Sequence, residues 1–227
     1  MEHQTIFGFD LEKAYDYENG FYLTTSNSRL AKAIAQYELY KSIENVPGAI
    51  VECGVYKGAS LMRFATFRDI ENSALPREIV GFDAFGHFPV PKQADKDDQD
   101  FIKDFESKGG DGIPKQELEQ LLARKNIKNY QLIEGDLLET APQFLEKNPN
   151  FSVALLHIDV DVYEPTKKTL EYFFPRLAPG ALIMLDDYNL VDGATRAVDE
   201  FLNEHQPNTP LKKLPFTHTP TYFYKAL

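Results

Sequence analysis

Five short apolar runs recur along this chain, each carrying an acid at or near its C-terminal end and each followed by a segment with helical periodicity. They read GAIVECG, EIVGFDAF, YQLIEGD, VALLHID and ALIMLDD, and a final aromatic, β-branched segment TPTYFYKAL closes the series. Runs of this length suit buried strands, and the amphipathic segments between them suit covering helices. Strand alternating with helix predicts an α/β fold with a largely parallel sheet covered on both faces. Right-handed crossovers then align the C-terminal ends of the strands along one edge, where open α/β sheets bind ligands. The acids at those ends therefore converge on one crevice.

The 227 residues suit one domain, 1–227, with an N-terminal helical cap over 1–46. The early stretch SNSRLAKAIAQYELYKSI reads as a helix entered at a serine or asparagine cap. The acidic stretch KQADKDDQDFIKDFESKGGDG interrupts the alternation within 88–114, and we expect Gln93 to Gly112 to be a solvated loop or mobile flap acting as a lid. A formal charge of −11 argues against a nucleic-acid partner. No apolar run approaches a membrane span, and the N-terminus lacks a basic-plus-apolar leader. Cys53 is the single cysteine, which fits a reducing cytoplasm. Homo-oligomerisation stays open.

VECGVYKGAS places Glu52, Gly54 and Gly58 where the first strand of the series meets its helix. Gly54 allows a sharp turn with a ligand against the backbone, and Gly58 a helix start close to the sheet. The pattern is not G-x-G-x-x-G. Asp83 closes the next strand, where an acid accepts ribose hydroxyls, and Asp136 closes the one after, within reach of a nucleoside base. Glycine turn and two strand-end acids describe an adenosine-type ligand; solvated strand-end acids are the bland alternative. Glu52, inside a strand, needs donors or a cationic partner.

On the last two of the five runs, Asp159 and the pair Asp186–Asp187 occupy equivalent places. Three converging carboxylates repel unless they are protonated or share a cation. All-oxygen ligation suits Mg²⁺ first, or another hard divalent ion. Asp161 is an outer acceptor or a base. His157, inside its strand, is expected to be a hydrogen-bonded core histidine aimed away from Asp159's neighbours.

GAIVECGVYKGAS, VGFDAFGHFP, LIEGDLLETAP, LLHIDVDVYEPT, FFPRLAPGALIMLDDY and GATRAVDEF, in that order, resemble the macrocin O-methyltransferase (TylF-type) family. The resemblance implies a class I methyltransferase fold, a Rossmann-like three-layer sandwich with an antiparallel C-terminal strand. It implies S-adenosylmethionine as cofactor, bound among Glu52, Gly54, Tyr56, Gly58, Ser60, Asp83, Ala84, Gly135, Asp136 and Leu137. Asp159, Asp186 and Asp187 match the family's metal-binding acids, with Mg²⁺ or a similar ion. Asp159 is the first candidate for the base and Asp161 the second. The implied acceptor is a hydroxyl of a sugar or glycosylated small molecule, in natural-product or surface-glycan biosynthesis. A non-sugar diol, a nicotinamide oxidoreductase and a non-catalytic nucleotide-binding protein are the alternatives; the oxidoreductase leaves the acid cluster unexplained, and in the binding protein the acids merely cap helices.

Overall fold

In a computed structural model of the chain, residues 5–71, 77–91 and 94–226 are described. Residues 1–4 of the expected cap, Gln93 of the expected flap and Leu227 of the last strand lie outside them. A hairpin of β1 (Thr5–Ile6) and β2 (Phe9–Asp10) leads into helices α1 (Ala14–Thr24) and α2 (Asn27–Lys41). The alternation follows: β3 (Ala49–Cys53), α3 (Ala59–Glu71), β4 (Ile79–Asp83), α4 (Lys96–Gly109), α5 (Lys115–Arg124), β5 (Tyr130–Glu134) and α6 (Leu137–Lys147). Then come β6 (Val153–Ile158), α7 (Tyr163–Phe173), β7 (Leu177–Leu185), α8 (Asp192–His205) and β8 (Thr221–Tyr224).

The six-stranded sheet has the order β5-β4-β3-β6-β7-β8, parallel except for β8, which pairs antiparallel with β7. The expected mostly parallel, Rossmann-like sandwich is what forms. Strand order reverses between β3 and β6, and that switch point opens the crevice.

Alternate residues of each central strand serve opposite layers. Val51, Val80, Leu156 and Ile183 pack with Phe144, Phe173 and Phe201 of α6, α7 and α8. Ile50, Ile79, Leu155 and Leu182 pack with Leu39, Leu61, Phe64 and Leu118 of α2, α3 and α5. β3 and β6 are buried throughout, which is why they read as apolar runs broken only by Glu52 and His157. Each such leucine or phenylalanine contributes about 1.5–3 kcal/mol on full burial.

The acidic segment is a helix rather than a loop. Asp95 caps α4 by accepting the N–H of Asp98 (3.0 Å), and Lys108 pairs with Asp104 one turn earlier (2.7 Å). Only Asp98 and Ile102 of α4 are buried. Asp98 accepts the backbone N–H of Tyr163 at the start of α7 (3.1 Å), and a Cβ on Gly193, at the start of α8, would collide with its carboxylate. Arg196 of α8 pairs with Asp95 (2.8 Å). At the other end Tyr56 and Lys57 donate to the carbonyl of Gly109 (2.7 and 2.6 Å).

Candidate active site

Gly54 follows β3 at the switch point with φ +88°, and a side chain there would overlap the carbonyl of Asp159 at the end of β6. The glycine is thus needed for the backbone of β6 as well as for the turn. Asp83, at the tip of β4, builds the loop after it. Its Oδ2 accepts the N–H groups of Val55 (2.7 Å) and Tyr56 (2.9 Å), and its Oδ1 accepts that of Phe85 (2.6 Å). Burial pushes the Asp83 carboxyl above its usual range, against the opposing pull of those three amides. Most of its acceptor capacity therefore goes to the loop. Asp136 caps α6 through the N–H of Leu138 (2.9 Å).

A cleft runs over this loop. Of the sequence-expected cofactor residues, Gly54, Tyr56, Asp83, Ala84, Gly135, Asp136 and Leu137 line it. Glu52, Gly58 and Ser60 do not. Gly58 turns with φ +79° where Leu118 of α5 closes over it, and Ser60 donates to the fully buried Glu52. Glu52 also meets His157 Nδ1 at 3.1 Å, so the partners its burial demands are Ser60 and His157. Sequence reasoning missed the outer wall of the cleft, which includes Phe88, Phe105 and Glu106. The aromatic pair stands on and before a helix that the charged composition had masked.

Asp159 and Asp161 line the same cleft, so the acids after β6 and the glycine loop after β3 share one cavity. The four carboxylates divide into two sets around Asp159. His157, Asp159 and Asp186 offer ligand atoms within 4.8 Å of one another, as do Asp159, Asp161 and Asp187. Asp186 and Asp187 fall into different sets because neighbouring residues leave a strand on opposite faces. The same parity corrects the expectation for His157. It lies two residues before Asp159 and shares its face, although it is a fully buried core histidine as expected.

The missed residue of greatest consequence is Lys32 of α2. Its ammonium lies 2.5 Å from Asp186 Oδ2 and 4.0 Å from Asp159 Oδ2. No sequence signal placed it there, because the contact joins residues 154 positions apart along the chain. Burial would lower Lys32, yet Asp159 and Asp186 hold it raised. Burial would likewise lower His157, but Asp186 and Glu52 push it up to about 10. His157 Nε2 stands 3.7 Å from Asp186 Oδ1, an ion pair rather than a hydrogen bond. Despite its burial, Asp186 is held well below the usual carboxylate range by His157 and Lys32.

In the second set only Asp159 has an ion-pair share of that relief, from Lys32, with His157 adding to it. Burial, then the charges of Asp186 and Asp187, raises Asp159 well above its ordinary value. Burial, then Asp159 and Asp186, pushes Asp161 up to about 7. Burial, then Asp161 and Asp186, raises Asp187. Asp161 also holds φ +61°, uncommon for a residue other than glycine. Among the described residues, no lysine or arginine forms an ion pair with Asp161 or Asp187. Three oxygen donors short of positive charge fit a hard divalent ion.

The chain is 27% identical over 176 residues to an 8-demethyl-8-(2,3-dimethoxy-alpha-L-rhamnosyl)-tetracenomycin-C 4'-O-methyltransferase of Streptomyces olivaceus, covering 75% of this chain and 64% of that one. It is 28% identical over 172 residues to a demethyldecarbamoylnovobiocin O-methyltransferase of Streptomyces niveus, covering 69% and 59%. The chain thus spans less than two thirds of the length of these relatives. Among solved structures, the calicheamicin methyltransferase CalS11 superposes with a TM-score of 0.70 at 27% identity, over 92% of this chain and 84% of that one. The O-methyltransferase NovP shares the fold with a TM-score of 0.73 at 20% identity, over 85% and 79%. Residues 14–225 match the family described as Macrocin-O-methyltransferase (TylF), so the switch-point cleft, its glycine loop and its strand-end acids are those of a member of that family.

Proposed function

We propose that the chain is an S-adenosylmethionine-dependent O-methyltransferase acting on a hydroxyl of a sugar or glycosylated small molecule. The observation that carries this is the shared cleft: Gly54 and Asp136 on one side, Asp159 and Asp161 on the other. The name of the Streptomyces olivaceus relative, an O-methyltransferase of a rhamnosyl-tetracenomycin, supports the acceptor class.

When bound, S-adenosylmethionine supplies an electrophilic methyl group, and a hard divalent ion makes an adjacent hydroxyl more acidic. The resemblance implies Asp159, Asp186 and Asp187 as ligands; Asp186 and Asp187 fall in different clusters, and Asp161 stands with Asp159 and Asp187 as a further candidate donor. The loop of Val55 and Tyr56, held by Asp83, positions the cofactor, with Asp136 and Leu137 beside it. We place the hydroxyl proton on Asp161 ahead of Asp159. Asp161 lines the cleft, whereas Asp159 is an expected metal ligand and so is less free to take the proton. The helix α4 excludes water over the reacting atoms.

Methyl transfer from labelled S-adenosylmethionine to a panel of diol sugars, with and without chelator, tests this reading. Transfer that chelator abolishes and Mg²⁺ restores is expected. Binding of a nicotinamide cofactor without binding of S-adenosylmethionine would sink it.

A further inference from the structure

Lys32 has a second property beyond its contact with the acids. It is the only residue of α2 that forms an ion pair among the described residues. The helix is buried at Ala35, Gln36, Leu39 and Tyr40, all in its C-terminal half. From Asn27 to Ile34 no residue is buried, and α1 before it buries none. Leu30, Ala31 and Ala33 are only half-buried there, so the Lys32 side chain is the one ionic tie of the N-terminal half of α2 to the sheet among the described residues. That side chain ends at Asp186 and Asp159, two of the acids expected to hold the metal.

We propose that Lys32 is a resident countercation which a divalent ion displaces, so that metal loading frees the N-terminal half of α2. The proposal rests on the metal reading above. Asp159 belongs to both acid sets, so an ion drawing on it comes close to the ammonium 4.0 Å from Oδ2. Two cations in a poorly solvated site repel strongly. Lysine is the mobile partner: its stem is flexible, its head is strongly hydrated, and its side chain is already 16% exposed. Losing that anchor leaves the first two turns of α2, and α1 with them, held only by half-buried apolar contacts such as those of Leu30, Ala31 and Ala33. The cap beside the cleft would then report whether the acids are loaded.

Calorimetric titration of the full chain with Mn²⁺ alone, in wild type, Lys32→Met and Lys32→Arg, tests the displacement. Lys32→Met is expected to bind Mn²⁺ at least about tenfold more tightly than wild type, and Lys32→Arg to bind about as wild type does. Hydrogen exchange tests the release without any variant: amides of residues 27–34 in wild type should exchange faster when Mn²⁺ is saturating. In Lys32→Met they should exchange fast without it. Mn²⁺ binding to wild type with unchanged exchange at 27–34, or equal affinity in Lys32→Met, overturns this proposal while leaving the metal reading standing. No Mn²⁺ binding by wild type or Lys32→Met overturns both. Should Lys32→Met fail to fold, the exchange of wild type with and without Mn²⁺ decides alone.

Discussion

The backbone of Asp159 occupies the space where a side chain at Gly54 would go, so the proposed cofactor loop and the first of the converging acids are in direct contact. Gly54→Ala should therefore injure both. The substitution adds a collision with a strand-end carbonyl and forces alanine to φ +88°, strain of about 1–3 kcal/mol or more. Thermal unfolding should shift down and S-adenosylmethionine affinity should fall together. A variant with wild-type melting and wild-type affinity would mean the loop can move away from β6 freely.

Asp83→Ala removes the acceptor of three backbone amides. Cofactor affinity should drop by about 1.5–3 kcal/mol, the range for hydrogen bonds to charged groups. Exchange at Val55 and Tyr56 should quicken in the same variant, because the carboxylate holds the loop before it holds any ribose. Calorimetry with unchanged affinity in a folded protein would remove Asp83 from the site.

Asp98 joins α4 to the start of α7. Asp98→Ala should cost about 1 kcal/mol, the usual loss for a helix-terminal acceptor. Amides of α4 should exchange faster while those of β3 and β6 stay as slow as before. If α4 exchange in the variant matched wild type, Ile102 and the Gly109 contacts would suffice to hold the helix.

Metal-free protein should lose stability as pH rises. Asp161 titrates at about 7 in the fold against an ordinary 3.8, and Asp159 and Asp187 are raised as well. Between those limits the folded chain holds protons that the unfolded chain has released. Stability from Asp161 is full below about 4 and is lost as pH passes about 7, and Asp159 and Asp187 act in the same direction. Asp186, held low, has the opposite sign and acts only in stronger acid. Melting temperature across pH 4–8 should fall in chelator and flatten in Mg²⁺. Parallel profiles with and without the ion would separate these carboxylates from metal binding.

Much of this arrangement was legible from local signals. Apolar runs ending in Glu52, Asp83, Asp136, Asp159 and Asp186–Asp187 named the strands and the acids at their tips, because a buried parallel strand and its exposed end differ sharply in composition. Lys32 was not legible, since its partner lies 154 positions away and only tertiary packing joins them. His157 was misdirected by a count of strand parity, since residues two apart share a face. The α4 segment was read as a loop from its charge, yet Asp95 before it and the Asp104–Lys108 pair are helical signatures. Charged composition described its solvent face and hid its fold.

The strand β8 carries none of the proposed site residues, but it braces the outer edge of the strand that leads into Asp186 and Asp187. Its register sets Thr221 opposite Leu185 and Tyr222 opposite Met184, and Thr219 just before it donates to the carbonyl of Asp186 (2.9 Å). The register of β7 itself is set by β6, where Ile158 pairs with Leu185 and the N–H of Asp186 donates to the carbonyl of Ile158 (3.0 Å). A slip of one residue between β6 and β7 would exchange the faces of Asp186 and Asp187. Thr219 ties Asp186 against that slip from the far side of β7.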